Sequence, residues 1–332
     1  KDKITMRFLN FYYLEEKKSV LDSAPTNSVG VMHELLTMKH LNGGKFPEKH
    51  PNKDNQKAQE YHDKIRHHFT DEQYNYLDNL AKKTADHIKS QLPSHAKNLT
   101  VHWTSKEGDI TKVTNIHSTQ HDDASDLVVS YDDHTHPTGK RHVGVSLKMK
   151  KGKALFVKNP GLEDIPGSNA IHQEHKRKIT NEFGHILTGS VKDKKDMLKS
   201  NPELKSKIVK HNNKLLNDLT DRAHQHFSNM SQEQLHHFIR HTIHAHETPM
   251  QKHGHDHLRV ITDRESGKID SYRPNEHFDN FMKNNPGNIE VKRSGFTLNF
   301  YKNGKHFMSY RRKLESQSNP YSSVKSVVAI HI

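Results

Sequence analysis

The sequence predicts a mixed α/β protein, and three observations carry that expectation. Residues 126–150 hold two short β-type runs around a polar turn. Thr70-Asp-Glu-Gln73 and Ser231-Gln-Glu-Gln234 have the spacing of capping boxes, where a hydroxyl and the side chain three residues on satisfy orphan N–H groups at a helix start. Lys302-Asn-Gly-Lys305 is a two-residue hairpin signal. The 332 residues allow one large or two modest domains. Hydrophobic residues make up 31% and the mean hydropathy is −1.00, so any core is economical.

Met6 opens M-R-F-L-N-F-Y-Y-L-E-E and reads as a natural start. Residues 6–20 are expected to form a short amphipathic helix with Phe8, Leu9, Tyr12 and Tyr13 on one side. After a polar break at 22–27, Asn27 or Ser28 can cap a second helix that Gly43-Gly44 stops. Met32, Leu35, Leu36 and Leu41 give it a buried face, and Glu34 sits beside that face. His33-Glu34 is not a zinc-protease motif, because H-E-x-x-H needs a histidine where Thr37 stands. Residues 45–56 read as a loop and Gln56 to His68 as a helix. The Thr70-capped helix follows, with Tyr76, Leu77, Leu80, Thr84 and Ile88 at helical spacing, and Pro93 closes it. Leu99 to Thr104 is a strand bearing the only tryptophan, Trp103, and residues 114–123 are a polar loop.

The two central runs are D-L-V-V-S-Y and H-V-G-V-S-L-K-M-K. In the second, Val143, Val145 and Leu147 alternate with Gly144, Ser146 and Lys148, so Ser146 and Lys148 project side by side. If the runs pair antiparallel, Asp126 and Lys148 share one corner of a sheet. That corner has a chemical use. Phosphodiester hydrolysis needs a divalent cation, usually Mg²⁺, on hard oxygen ligands. It also needs a positive group that orients water and offsets phosphate charge.

At Asp126 and Ser146-Leu-Lys148 the chain resembles the PD-(D/E)xK nucleases, the restriction-endonuclease-like fold. The order helix, strand, strand, strand is similar to the helix and three-stranded meander of that core. The resemblance implies that Asp126 binds Mg²⁺ or Mn²⁺ with Glu34 and the backbone carbonyl of Leu147. It implies that Lys148 orients the nucleophile. Ser146 stands where the family has an acid, and would hold a metal-bound water or nothing. Asp122 or Asp123 is a spare carboxylate for that role, or simply a solvated loop residue. H-E-L-L-T-M-K-H-L-N-G-G-K, W-T-S-K-E-G-D-I, D-A-S-D-L-V-V, G-V-S-L-K and N-P-G-L-E resemble stretches of uncharacterised proteins of tailed and marine bacteriophages, over about residues 6–165. That implies a phage protein of the host cytoplasm or the virion.

Ala154 to Val157 is a short apolar strand. Ser168 then caps a helix with Ile171, Ile179, Phe183, Ile186 and Leu187, placed where the nuclease fold packs a helix on its sheet. Asn201-Pro202-Glu203 starts the next helix and Ser231 another. The histidines from His236 to His257 show no zinc-site spacing, and 31 histidines overall make crowding expected. Leu258 to Thr262 is a strand, and 288–292, 296–301 and 306–313 form an antiparallel meander, with 324–332 as an edge. Lys292, Arg293, Arg311 and Arg312 lie among Phe296, Phe300, Tyr301, Phe307 and Tyr310. Basic residues among aromatics suit nucleic-acid contact, or the aromatics are the core of a small sheet.

The domain reading is a nuclease-like core over 1–165 with a helical insertion at about 54–97, a helical region over 166–257 and a β-rich region over 258–332. A formal net charge of +13 and a pI near 9.5 point to a polyanionic partner, most naturally DNA, with Lys150 and Lys151 adding to the contact. A homodimer is compatible with the sequence. The absence of cysteine excludes disulfides, thiolate metal sites and cysteine nucleophiles. No run reaches the roughly 18 apolar residues of a membrane span, and no glycine-rich phosphate loop is present. A non-catalytic DNA-binding or virion protein on the same scaffold is the alternative of another class.

Overall fold

The computed structural model describes residues 20–47, 54–152, 154–158, 160–316, 318–319 and 321–331. The helix expected over 6–20 and the start at Met6 lie outside them, save for Val20. The chain divides into two compact units, one drawn from the segment up to Gly152 with Glu247–Arg273, the other from Lys153–His246 with Pro274–Ile332. Both are mixed α/β. Among the described residues no helix is long and apolar enough to cross a membrane.

The first unit holds α1 (Thr26–Leu41), α2 (Asp54–Arg66), α3 (Asp71–Gln91), β1 (Lys97–Trp103), α4 (Asp109–Thr114), β2 (Leu127–Asp132) and β3 (Lys140–Lys150). After the intervening segment come α9 (Pro249–Lys252), β5 (Asp256–Asp263) and β6 (Ile269–Tyr272). Its sheet runs β1-β2-β3-β5-β6. β1, β2 and β3 form an antiparallel meander, β3 and β5 pair in parallel, and β6 closes antiparallel to β5. The parallel pair needs a long crossover, and the chain between β3 and β5 supplies it.

The apolar face of α1 behaves as its spacing requires. Met32, Leu35 and Leu36 are buried with Leu77, Ala81, Ala85 and Ile88 of α3 and with Val129, Val145, Leu147 and Val260 of the sheet. Each of the larger of these side chains, removed from water, stabilises the fold by roughly 1.5–3 kcal/mol. One polar seam crosses this core: Thr84 Oγ1 lies 3.1 Å from His33 Nε2 and 2.9 Å from Thr262 Oγ1. The Thr70 capping box forms as expected, with Gln73 N donating to Thr70 Oγ1 at 3.2 Å and Thr70 N to Gln73 Oε1 at 3.0 Å. The start of α1 differs: Pro25 is the N-cap, with no side-chain bond, and Ser28 lies inside the helix, bonded to His68 Nδ1 at 3.0 Å.

The second unit holds β4 (Leu155–Lys158), α5 (Ser168–Phe183), α6 (Val191–Ser200), α7 (Pro202–Ser228), α8 (Gln232–Thr242), α10 (Pro274–Asn284), β7 (Ile289–Ser294), β8 (Thr297–Lys302), β9 (Lys305–Leu314) and β10 (Val324–Ile330). Its sheet is antiparallel throughout, in the order β4-β10-β9-β8-β7. Asn303 and Gly304 turn the β8–β9 hairpin with φ of 50° and 72°, the left-handed pair that Asn-Gly permits. Leu215, Leu216 and Leu219 of α7 pack on Leu314, and Phe227 meets the rings of Phe300 and Tyr310 at 5.3 and 5.6 Å. α5 packs on α7 through Ile179, Phe183 and Ile208.

Three expectations change here. β5, expected in a separate C-terminal β region, pairs with β3, because a strand's partner is a non-local choice that its own residues do not encode. The helices over 168–242 are not a region of their own but back the C-terminal sheet. α5 accordingly belongs to the second unit, not to the sheet that carries Asp126 and Lys148. Its cap also differs: Gly167 at φ 85° is the N-cap, and Ser168 is buried with its hydroxyl unpartnered.

Candidate active site

Asp126 stands immediately before β2, held by backbone on both sides. Its N–H donates to Val145 O at 2.9 Å and its carbonyl accepts from Thr104 N at 3.1 Å. This fixes its carboxylate against β3. Asp126 Oδ2 accepts from Leu147 N at 2.7 Å and from Lys148 Nζ at 3.1 Å. Both side chains of that pair are about one-fifth exposed, so each is reachable from solvent yet poorly screened. The corner shared by Asp126 and Lys148 is therefore present, and the Leu147 N–H is part of it. In a β-strand the carbonyl leaves on the same side as its own N–H, so Leu147 O also faces this corner.

Glu34 reaches the same place from α1. Glu34 Oε2 accepts from the indole of Trp103 at 3.3 Å. Burial, then the Asp126 carboxylate, push the Glu34 carboxyl up to about 8, partly offset by Lys148 and the Trp103 bond. At neutral pH Glu34 is thus largely protonated. Glu34, Asp126, Lys148 and Trp103 line one cleft of about 750 Å³.

Ser146 is fully buried, its Oγ has no partner, and it does not line the cleft. The role of holding a metal-bound water does not fit that position. Its strand face is covered: a Cβ on Gly144, two residues back on the same face, would meet Ser125 Oγ at 2.2 Å and Met250 Cε at 2.5 Å. The two spare acids also find explanations. Asp122 accepts from Thr119 Oγ1 at 2.6 Å in an exposed loop. Asp123 is buried; its Oδ1 accepts from Ser125 N at 3.0 Å and lies 3.6 Å from His257 Nδ1. Burial alone would raise the Asp123 carboxyl, but the His257 contact and the two Ser125 bonds together hold it below the usual range. Asp123 and His257 brace the turn that delivers Asp126.

The donors available to a hard cation are the Asp126 carboxylate, the Glu34 carboxyl and the Leu147 carbonyl. Among the described residues no group of three or more His, Asp or Glu side chains is arranged to hold a metal. Mg²⁺ does not require one, because it keeps waters and is commonly bound by one or two carboxylates plus phosphate oxygens. Burial, with the Asp126 charge added to it, keeps Glu34 protonated, and a divalent cation held by these acids would favour their ionised forms. On this chemistry the residues fit the ion.

The basic residues divide. Lys150 lies 4.0 Å from Asp263, and Lys151 pairs with Asp22 at 2.8 Å, both partly exposed beside the end of β3. Lys292 pairs with Glu290 at 2.8 Å, and Arg293 with Asp221 and with Asn217 at 2.8 Å. Arg311 is exposed. Arg312 is not available to a phosphate: it is 1% exposed, donates Nη1 to Ser326 Oγ, and lies over the Tyr310 ring. Strand alternation puts Arg311 outward and Arg312 inward. Phe300, Phe307 and Tyr310 are likewise buried, so they are core and not a stacking platform.

Sequence reasoning missed the Trp103–Glu34 bond and the Asp123–His257 brace, both long-range pairings. It also passed over Tyr61, although Lys57, Tyr61 and Lys64 stand at i, i+4 and i+7 on α2, a helical stripe visible in the residues. Comparison with known proteins finds no matching family model, no matching curated protein and no matching solved structure.

Proposed function

We propose that this protein is a metal-dependent nuclease that hydrolyses phosphodiester bonds, with DNA as the substrate class. The observation that carries the reading is the Asp126 carboxylate clamped by Lys148 Nζ and Leu147 N–H beside the Glu34 carboxyl, all in one cleft. The helix and three-stranded antiparallel meander that deliver these groups support the resemblance to the restriction-endonuclease-like core. The net charge of +13 supports a polyanionic substrate.

When bound, Mg²⁺ or Mn²⁺ would supply Lewis-acid stabilisation of the phosphate oxygens and a more acidic water. Asp126, Glu34 and Leu147 O would hold the ion. Lys148 is pre-positioned by its ion pair, and its ammonium stands ready to orient water and offset charge at the phosphate. Glu34 must release its proton before it can serve, so cation binding and deprotonation are linked. As a phage protein, such a nuclease would work in the host cytoplasm or travel in the particle.

The buried Ser146 in the acid's position favours a second reading, a DNA-binding protein that keeps the scaffold without cutting. Cleavage of supercoiled plasmid and of single-stranded DNA with Mg²⁺ or Mn²⁺ decides between them. The nuclease reading expects metal-dependent cleavage that Asp126→Ala and Lys148→Ala each reduce at least about a hundredfold, the scale of one general acid–base or electrostatic group. Salt-sensitive binding with no cleavage under either metal would leave the second reading.

A further inference from the structure

One side of the cleft is not used by the chemistry above. α2 presents Lys57, Tyr61 and Lys64 to it, one helical face at i, i+4 and i+7. Tyr61 is 40% exposed, one of the few large aromatic side chains left open to solvent among the described residues. Its ring lies 5.6 Å from that of Trp103 at 43°. Trp103 is buried and fixed in orientation by the indole bond to Glu34. An exposed ring, backed by a fixed ring and flanked by ammonium groups, opens onto the space that holds Asp126 and Lys148.

We propose that Tyr61, backed by Trp103, stacks on an unpaired base next to the scissile phosphate, so that the cleft takes single-stranded nucleic acid in preference to continuous duplex. This rests on the nuclease reading for the identity of the polyanion. Two physical points favour it. In duplex both faces of each base are covered by its neighbours, so a ring can stack only after unstacking costing a few kcal/mol. A single strand offers its base faces without that cost, and stacking on aromatic rings with lysines along the backbone is how single strands are held. A cleft of about 750 Å³ also has room to enclose an unpaired base beside Asp126 and Lys148. The acids in the cleft do not oppose this uniformly. Asp109 is occupied by Lys106 N–H at 2.9 Å and Lys112 Nζ at 3.2 Å, and Asp123 by its brace.

The test exploits the single tryptophan. Its fluorescence reports from the wall of the cleft, and EDTA removes cleavage from the measurement. Oligothymidine of about 12 nucleotides, within the site sizes of single-strand binders, is titrated against the full chain at fixed ionic strength, beside a duplex of equal length. The single strand should change Trp103 emission and bind more tightly than the duplex. Tyr61→Ala should weaken single-strand binding roughly 5- to 150-fold, the ratio corresponding to one base–aromatic stack, with duplex binding unchanged. Tyr61→Phe, which keeps the ring, should bind as wild type. Because Tyr61 is exposed, the alanine variant should keep its thermal transition. Loss of both ligands by the same factor in Tyr61→Ala, or of neither, overturns the inference alone and leaves the nuclease reading to the plasmid assay. Failure of the wild type to bind either nucleic acid overturns both.

Discussion

Glu34→Gln should stabilise this protein at neutral and alkaline pH, by an amount that grows with pH. In the folded chain the Glu34 carboxyl titrates at about 8 instead of the ordinary 4.5. Between those values the folded state keeps a proton that the unfolded state has released. More protons are bound folded than unfolded, so stability falls as pH rises across this window, at about 1.4 kcal/mol per pH unit. Up to pH 7 the sum is about 3 kcal/mol, and screening by solvent at a half-buried site reduces it to ~2 kcal/mol. Glutamine keeps an oxygen for the Trp103 indole and carries no charge, so it removes the slope without removing the bond. Urea unfolding in EDTA at about pH 5, 7 and 9, extrapolated linearly, should find the two proteins alike at the lowest pH. The variant should lead by ~2 kcal/mol at pH 7 and by more at pH 9. Mg²⁺ added at pH 9 should stabilise the wild type and not the variant. Parallel stability curves for the two proteins across this range would refute the argument, because no buried proton would then be linked to folding.

The acid limb is expected to behave in the opposite sense. Burial pulls His33 down to about 4, and burial with neighbouring cationic groups does the same to His142 and His255. The unfolded chain protonates these rings near 6.5 while the folded chain does not, so stability is lost as pH falls from 6.5 to about 4. A combined loss of about 3 kcal/mol or more should appear in urea titrations, and His33→Gln should flatten it; an unchanged limb would exclude His33. Gly144→Ala should cost about 1–3 kcal/mol by overpacking, read as a lower thermal midpoint. It should also slow plasmid nicking, because the added methyl meets Ser125, next to Asp126. Arg312→Met should leave nucleic-acid affinity unchanged and stability near that of wild type. Ser326→Ala should lose about 2 kcal/mol, because it strips a buried guanidinium of its acceptor; the reverse ranking in denaturant would contradict the inward placement.

Several local signals were legible, though the caps of α1 and α5 fell on Pro25 and Gly167 instead of the expected polar residues. The Thr70 and Ser231 boxes and the Asn303-Gly304 hairpin turn appear where the residues put them. The corner of Asp126 and Lys148 was legible because a hairpin register follows from two runs and the turn between them. Spacing put Glu34 beside the buried face of α1, and only the resemblance tied it to the site. What escaped were pairings between residues far apart in the chain. Nothing in H-L-R-V-I-T announces that it lies parallel to β3, and nothing in Asp123 announces His257. Serine in the acid's position was visible, but its enclosure was not, since that depends on α9 and β5 arriving from beyond residue 246. Arg312 was read for its charge when its place in the alternation of β9 decided its fate.

The parallel pairing of β3 with β5 has a consequence for the nascent chain. A ribosome that has finished β3 must add roughly a hundred further residues before β5 exists, and contacts of such separation form late. Until then the strand bearing Lys148 has β2 on one side and an open edge on the other. The groups that cover the Ser146 face and brace Asp123, Met250 and His257, are made in the same late stretch. On the proposed function, a half-synthesised chain would carry Glu34, Asp126 and Lys148 and still lack the architecture that aligns them. Synthesis itself would then act as a timer, withholding activity until the stretch that carries Met250 and His257 leaves the ribosome.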